Sequence, residues 1–394
     1  MKRYEAYKPT SVEWYPAIPQ GWEWRYLFQI AHEQTIKKPV DEMYPVMTLS
    51  YGEIKRKKNT EAGLVPSNYD SYQMLYKGNI VLRLIDLQND HTSLRTGLVK
   101  ETGIITSAYT CIMPTENPAY IQYLLHSYDT KKVFYGYGGG VRQSIGFKDI
   151  RHLRVPVPPR AEQDQIVRYL DWQVSKINRL IAAKRKEIDA IHDMEHLYID
   201  HVFSEIANQK TIRLKYLVEQ FVDCPHETPE YCKDGDYCVI RTADQDYGYL
   251  RSETLMYRLT ESEYTNRIRR APLNAGDIVY GREGERWGLA CVIPESEKFC
   301  LGQRIMQFVC NKQMVTPEYV MWALNSSYVR NQGILDTMGS TSPHVNISTI
   351  INFRIPYTSR EHQHTLVSKI ECTMQKYRQL CERIENEIQL LHDL

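Results

Sequence analysis

A ladder of residues spaced alternately four and three apart runs through the middle of the chain. Its members are Leu170, Val174, Ile177, Ile181, Lys184, Ile188, Ile191, Glu195, Tyr198 and Val202. Eight of these ten are apolar, which describes a narrow seam for one partner helix, not the broad stripe of an ordinary surface helix. No glycine or proline interrupts the stretch. Pro156, Pro158 and Pro159 bound its approach, because each ring removes a backbone donor and crowds the preceding turn. The same phase recurs two hundred positions later as Ile370, Met374, Tyr377, Cys381, Ile384, Ile388 and Leu391. The approach recurs too: Arg154-Val155-Pro156 matches Arg354-Ile355-Pro356, and Gln163 matches Gln363. Repetition on this scale fixes the architecture before any local motif is weighed. The chain reads as a first module (1–155), a long helix (156–205), a second module (206–355) and a second long helix (356–394).

An isolated helix of this length gains little from propensity alone, so each seam needs a cover. The economical solution packs the two helices on each other. A whole module intervenes between them, so the return path favours an antiparallel pair. At about 1.5 Å per residue, 35 to 40 helical residues span roughly 50 to 60 Å. That is enough to hold two modules a set distance apart along a rod.

The modules themselves read as α+β. LYKGNIVLRLIDLQ (75–88) and LNAGDIVYGREG (273–284) each place a glycine turn, Gly78-Asn79 and Gly276-Asp277, before an apolar strand. GIITSAYTCIMP (103–114) and RIMQFVCN (304–311) are strands by their β-branched and aromatic content. Helices follow from Pro118 and Pro317, then the small-residue loops Gly136–Gly140 and Gly339–Ser342. Arg25-Tyr26-Leu27 aligns with Ile212-Arg213-Leu214 as the lead-in to each module.

Composition narrows the function. With 49 basic and 48 acidic residues the formal charge is +1, so a nucleic-acid surface must be a local patch balanced by acidic residues elsewhere. No run of 18 apolar residues suggests a membrane span. The first residues lack the apolar core of a signal peptide. Nine cysteines without a C-x-x-C pair fit reduced thiols, and the expected setting is cytoplasmic. Cys224, His226, Cys232 and Cys238 match no zinc spacing, so no metal site is assigned.

Catalytic motifs are incomplete. Glu116-Asn117-Pro118-Ala119-Tyr120 lacks the second proline of the adenine methyltransferase motif, and Thr316-Pro317-Glu318-Tyr319 occupies its place in the second copy. Both fit helix starts with a cap and a proline. Asp277, Glu283 and Glu285 lack the lysine of a nuclease site. No catalytic residue is assigned. The candidates for DNA contact are Lys55, Arg56, Lys57 and Lys58; Arg269 and Arg270; and the scattered arginines Arg83, Arg95, Arg142, Arg282, Arg286 and Arg304. Arginine grips a guanine edge or a phosphate bidentately. For either basic run alone, a solvated surface is the competing reading.

The assembled pattern resembles the specificity subunit of type I restriction–modification systems. The resemblance rests on Ile18-Pro19-Gln20-Gly21-Trp22 with Leu27, then Val155-Pro156-Val157-Pro158-Pro159. Glu162-Gln163, Ile166-Val167, Leu170, Ile177 and Leu180-Ile181 add to it, as do Gly276-Asp277-Ile278-Val279, Gly284 and Gly339-Ser340-Thr341. It implies two α+β target recognition domains joined by a long antiparallel coiled coil, each domain reading half of a bipartite duplex site. It also implies no cofactor in this chain, two methyltransferase partners carrying S-adenosylmethionine, and motor-nuclease subunits where the system restricts. The second copy departs at Tyr357-Thr358-Ser359-Arg360, which replaces the double proline, and at His362, which stands where the first has Glu162. Two rival readings remain: a coiled-coil scaffold unrelated to DNA, and a nuclease or methyltransferase in its own right.

Overall fold

The computed structural model describes residues 4–40, 42–57, 69–87, 94–137, 145–295, 298–338 and 343–392. The chain divides into two compact units, Met1–Asn178 and Arg179–Leu394.

Both units are built on the same four-stranded antiparallel sheet. In the first the order is Ala31–Gln34, Thr110–Pro114, Ile80–Leu82, Thr96–Leu98. In the second it is Val218–Asp223, Ile305–Cys310, Ile278–Gly281, Ala290–Val292. The glycine turns open the third strand of each in the same way. Gly78 and Gly276 have φ of +94° and +86°, a region that costs glycine little. The next side chain then closes the turn: Asn79 Oδ1 accepts from Tyr76 N, and Asp277 Oδ2 accepts from Asn274 N, both at 2.8 Å. The 103–114 segment is two strands, Gly103–Ile105 and Thr110–Pro114, because a turn at Thr106–Tyr109 separates them.

Away from that sheet the units differ. The first adds a hairpin of Met47–Ser50 with Glu53–Arg56 and a pair of Gln73–Leu75 with Gly103–Ile105. The second adds a three-stranded sheet, Tyr257–Leu259, Tyr237–Ile240, Phe299–Leu301, whose last pair is parallel.

The lead-in of each module pairs with its exit. Glu23–Tyr26 lies antiparallel to Arg154–Val157, and Thr211–Arg213 to Arg354–Pro356. Leu27 N then donates to Leu153 O (2.9 Å), and Leu214 N to Phe353 O (2.8 Å). Pro156 therefore belongs to a strand, and the central helix starts just after Pro159, later than the 156 boundary. It spans Arg160–Ala207, and the C-terminal helix spans Arg360–His392, about 72 Å and 50 Å of helix.

Ile166 and Val167 pack against the first module's core. Ile199, Phe203 and Ile206 join Val367, Ile370 and Met374 in the core of the second. Within this second unit Ile191, Cys381 and Ile384 form a buried cluster flanked by Ile188, Tyr377 and Ile388. The two polar interruptions of the ladder are each answered. Lys184 Nζ lies 2.5 Å from Glu387, and the buried Glu195 meets His192 Nδ1 at 3.0 Å. Ile181 is buried and Leu391 half-buried; at the other end of the ladder Leu170 and Ile177 are half-buried and Val174 is 43% exposed. No helix among the described residues is long and apolar enough to cross a membrane.

Candidate nucleic-acid interface

The long helices are plugged into their modules by one repeated side chain. Gln163 and Gln363 are wholly buried in the first helical turn. Gln163 Oε1 accepts from Asn117 N (3.0 Å), and its Nε2 donates to Pro158 O and to the Glu116 carboxylate. Gln363 Oε1 accepts from Thr316 N (3.1 Å), with Nε2 donating to Thr358 O. Tyr120 and Tyr319 complete the joint by donating to Pro156 O and Pro356 O at 2.8 and 3.0 Å.

This geometry accounts for the methyltransferase-like pentapeptide without chemistry. Asn117 Oδ1 caps the helix Pro118–Thr130 through Ala119 N and Tyr120 N, and its Nδ2 donates to Asp164. Thr316 stands at the same position before Pro317–Asn325 but makes no side-chain cap. Around the first joint Glu162 receives Trp22 Nε1 at 3.0 Å and the Tyr4 hydroxyl. Burial and that carboxylate push the Tyr4 hydroxyl up to about 12. The second copy replaces both prolines and Glu162, and a side-chain cap takes over: Ser359 Oγ accepts from His362 N, while Thr358 Oγ1 meets His362 Nδ1 at 3.0 Å.

Each module leaves a concave corner at one end of its shared sheet. In the first, a cavity of about 430 Å³ is lined by Thr35, Ser107, Ala108, Tyr109, Ile145 and Gly146, among others. In the second, a cavity of about 150 Å³ is lined by His226, Glu283, Gln303 and Arg304. The two corners are equivalent in the repeat. Ile112 pairs with Ile80 as Phe308 pairs with Ile278, so Ser107 and Ala108 stand where Gln303 and Arg304 do. Ile145 N bonds Leu84 O as Val345 N bonds Arg282 O, which brings the segment after each small-residue loop to the same edge. The loop residues Gly138–Gly140 and Gly339–Ser342 lie outside the described residues.

The basic candidates separate by burial. Arg95 is wholly buried and donates to Arg83 O (3.0 Å) and Ile85 O (2.9 Å), while Asp129 accepts from its backbone N. It braces the backbone just after Ile80–Leu82, and no surface remains through which it reaches a duplex. Arg282 is 5% exposed and held by Asp223 and Glu283, so it too is a brace. Arg286 donates to Gln245 O and lies 3.6 Å from Asp246. Arg83 is half-buried.

Lys55, Arg56 and Lys57 are exposed on or beside the hairpin strand Glu53–Arg56, with Lys55 beside Glu53 and Arg56 in a fork on Glu101. That carboxylate raises the Arg56 guanidinium further above its ordinary value. Arg269 and Arg270 are exposed after the helix Glu261–Arg267. Arg304 is exposed and has a left-handed φ of +68°. Lys58 and Arg142 fall outside the described residues. The glutamine plugs were visible only as a repeated letter; their shared offset from the apolar ladder was the signal.

Residues 44–190 and 223–390 each match the family described as the type I restriction modification DNA specificity domain. The chain belongs to this family and carries the domain twice. It is 22% identical over 244 residues to the type I restriction enzyme MjaVIII specificity subunit of Methanocaldococcus jannaschii, a match covering 57% of this chain and 56% of that one. The chain thus spans about half the length of that relative. A second chain of the same organism, named for the type I restriction enzyme MjaX specificity subunit, is 21% identical over 93% of this chain and 89% of its own. Among solved structures, a chain from work on complex assembly and conformational transition of the type I R-M system superposes with a TM-score of 0.61. It has 15% identity and 95% of both chains is covered. At that identity the likeness speaks for the fold.

Proposed function

We propose that this chain is the DNA-sequence-specificity subunit of a type I restriction–modification complex. Each module is a target recognition domain reading one half of a bipartite duplex site, and the long helices form an antiparallel coiled coil that sets the gap between halves. The observation carrying this is the repeat at atomic detail. The same four-strand order, the same closing strand pair and the same glutamine plug occur in both modules. A chain that duplicates its sheet and its anchoring while varying the corner side chains is built to present two different readers on one frame. The antiparallel sense is supported by the pairing of Lys184 with Glu387 and of Ile191 with Cys381 and Ile384, in which one number rises as the other falls.

In this reading the chain performs no bond chemistry. Two methyltransferase subunits dock on the helices and bring S-adenosylmethionine, and motor-nuclease subunits join in systems that also cut. Exposed cations such as Lys55, Lys57, Arg269 and Arg270 fix register on phosphates, making affinity fall steeply with salt. The test is selection from a randomised duplex library by the full chain with its methyltransferase partner. Two short constant segments separated by a fixed gap are expected. Inserting four residues after Ala182, about one helical turn, should change the gap or abolish selection. Selection of no sequence, or salt-insensitive binding, overturns the proposal in favour of a scaffold.

A further inference from the structure

The corner of the second module holds an arginine with nothing to hold. Arg304 is exposed and, among the described residues, its guanidinium makes no ion pair or hydrogen bond, whereas Arg241, Arg267, Arg282 and Arg286 are all engaged by carboxylates. Its backbone lies at φ +68°, a conformation that side chains other than glycine adopt at a cost. Its carbonyl is pinned by Arg282 N at 3.1 Å, so the turn is fixed and not adaptable. A strained residue that keeps a long cationic side chain, where glycine would relieve the strain, points to a use for that side chain.

The surroundings say which use. Glu283 lines the same cavity and is held by Arg282 at 3.0 Å and His344 Nδ1 at 3.2 Å, both on Oε1. Asp223 stands nearby between Arg282 and His226. Glu283, sharing the cavity with the arginine, disfavours a phosphate there. The pair suits a ligand edge that presents acceptors to the arginine and a donor to a carboxylate. The major-groove edge of a G·C pair has that pattern: guanine N7 and O6 accept from arginine, and cytosine N4 donates to a carboxylate.

We propose that Arg304, with Glu283 beside it, reads a G·C pair in the half-site of the second module. The equivalent corner of the first module, with Ala108 in Arg304's place, reads its half by other means. This rests on the proposed DNA-reading function, and the test separates the two.

The full chain with its methyltransferase partner is challenged with the randomised duplex library as wild type, Arg304→Gly, Arg304→Lys and Glu283→Gln. Wild type should select a bipartite sequence with G·C at one position of one half. Arg304→Gly should lose roughly 10- to 100-fold of that preference, leave every other position unchanged, and melt no lower than wild type, since glycine relaxes the turn. Arg304→Lys, which keeps the charge but not the fork, should fall between. Glu283→Gln should weaken the same position. Uniform weakening across all sequences with a shallower salt dependence would make Arg304 a phosphate contact and overturn the inference, as would an unchanged preference. If wild type selects nothing, the DNA-reading function itself falls and this inference with it.

Discussion

The central helix has two ends, and the same apolar ladder meets different fates at each. Near the second module Ile199 and Phe203 are fully buried and Ile206 nearly so, packed with Val367, Ile370 and Met374. Near the first module Ile166 and Val167 are only partly covered, Val174 is 43% exposed and Trp172 is 54% exposed, with Lys176 Nζ 4.2 Å from its ring centroid. Heptad phase states which face of a helix is apolar. How deep that face lies depends on whether a sheet-backed core or a second helix closes over it. The second module supplies both, so its end of the ladder is core; the first module's end is a half-covered surface held chiefly by polar joints.

The largest expected effect lies at the buried end. Phe203→Ala removes a wholly buried ring packed 5.4 Å from Tyr319 and should cost about 3 to 5 kcal/mol. Denaturant unfolding followed by a probe in the second unit should show it. Ile166→Ala, at the other end, should cost clearly less. Equal losses would mean that the two ends are alike and the contrast is not energetic.

The glutamine plugs sharpen the comparison next. Gln163→Leu and Gln363→Leu each strand a backbone N–H, that of Asn117 or Thr316, at about 1 to 3 kcal/mol for an unsatisfied buried donor. Gln163 also donates to the Glu116 carboxylate at 2.9 Å, and a bond to a charged acceptor is the stronger kind. The first-module variant should therefore show the greater loss. A reversed order would place the strength of the first joint elsewhere, in the Trp22–Glu162 contact.

A smaller effect is expected at Lys184 and Glu387. The Glu387 carboxyl is held below its ordinary value by its hydrogen bond to Lys184. A carboxyl depressed in the folded state stabilises above the usual carboxylate range and loses that contribution as pH falls through it. Acid titration of wild type against Lys184→Met should show the wild-type advantage at neutral pH vanish on acidification, and shrink with salt because the pair is only partly buried. An advantage that persists in acid would assign the effect to the lysine stem instead.

Much of this frame was legible in the sequence: the two-fold repeat, the glycine turns before Ile80 and Ile278, and the proline helix starts at Pro118 and Pro317. Each is local, set by spacing or by a residue with one conformational use. What escaped the sequence was set by tertiary surroundings. Arg95 and Arg304 are the same residue type beside similar strands, yet one is sealed under backbone carbonyls and the other stands in a corner. Nothing in the letters around them reports burial. The pairing of the Pro156 strand escaped it too, because its partner Trp24 is more than a hundred residues away.

The smallest effect isolates what the ladder means where it is least covered. Val174 sits in phase with Ile181 and Ile191, so a seam of uniform worth would make Val174→Ser as damaging as Ile191→Ser. The structure argues otherwise, because a side chain 43% exposed against 7% for Ile191 has little apolar area left to lose. Val174→Ser should shift stability of the chain alone by no more than about 0.5 kcal/mol, while Ile191→Ser, opposite Cys381 and Ile384, should cost several times more. The informative comparison repeats both in the presence of the proposed methyltransferase partner. If the partner covers the Trp172–Val174 surface, Val174→Ser becomes costly only in the complex, and the two ends of the helix differ by assignment: one built into the chain's own core, the other left for a subunit. If the variant is silent in the complex too, that surface is solvent-facing and the first half of the ladder serves the helix alone.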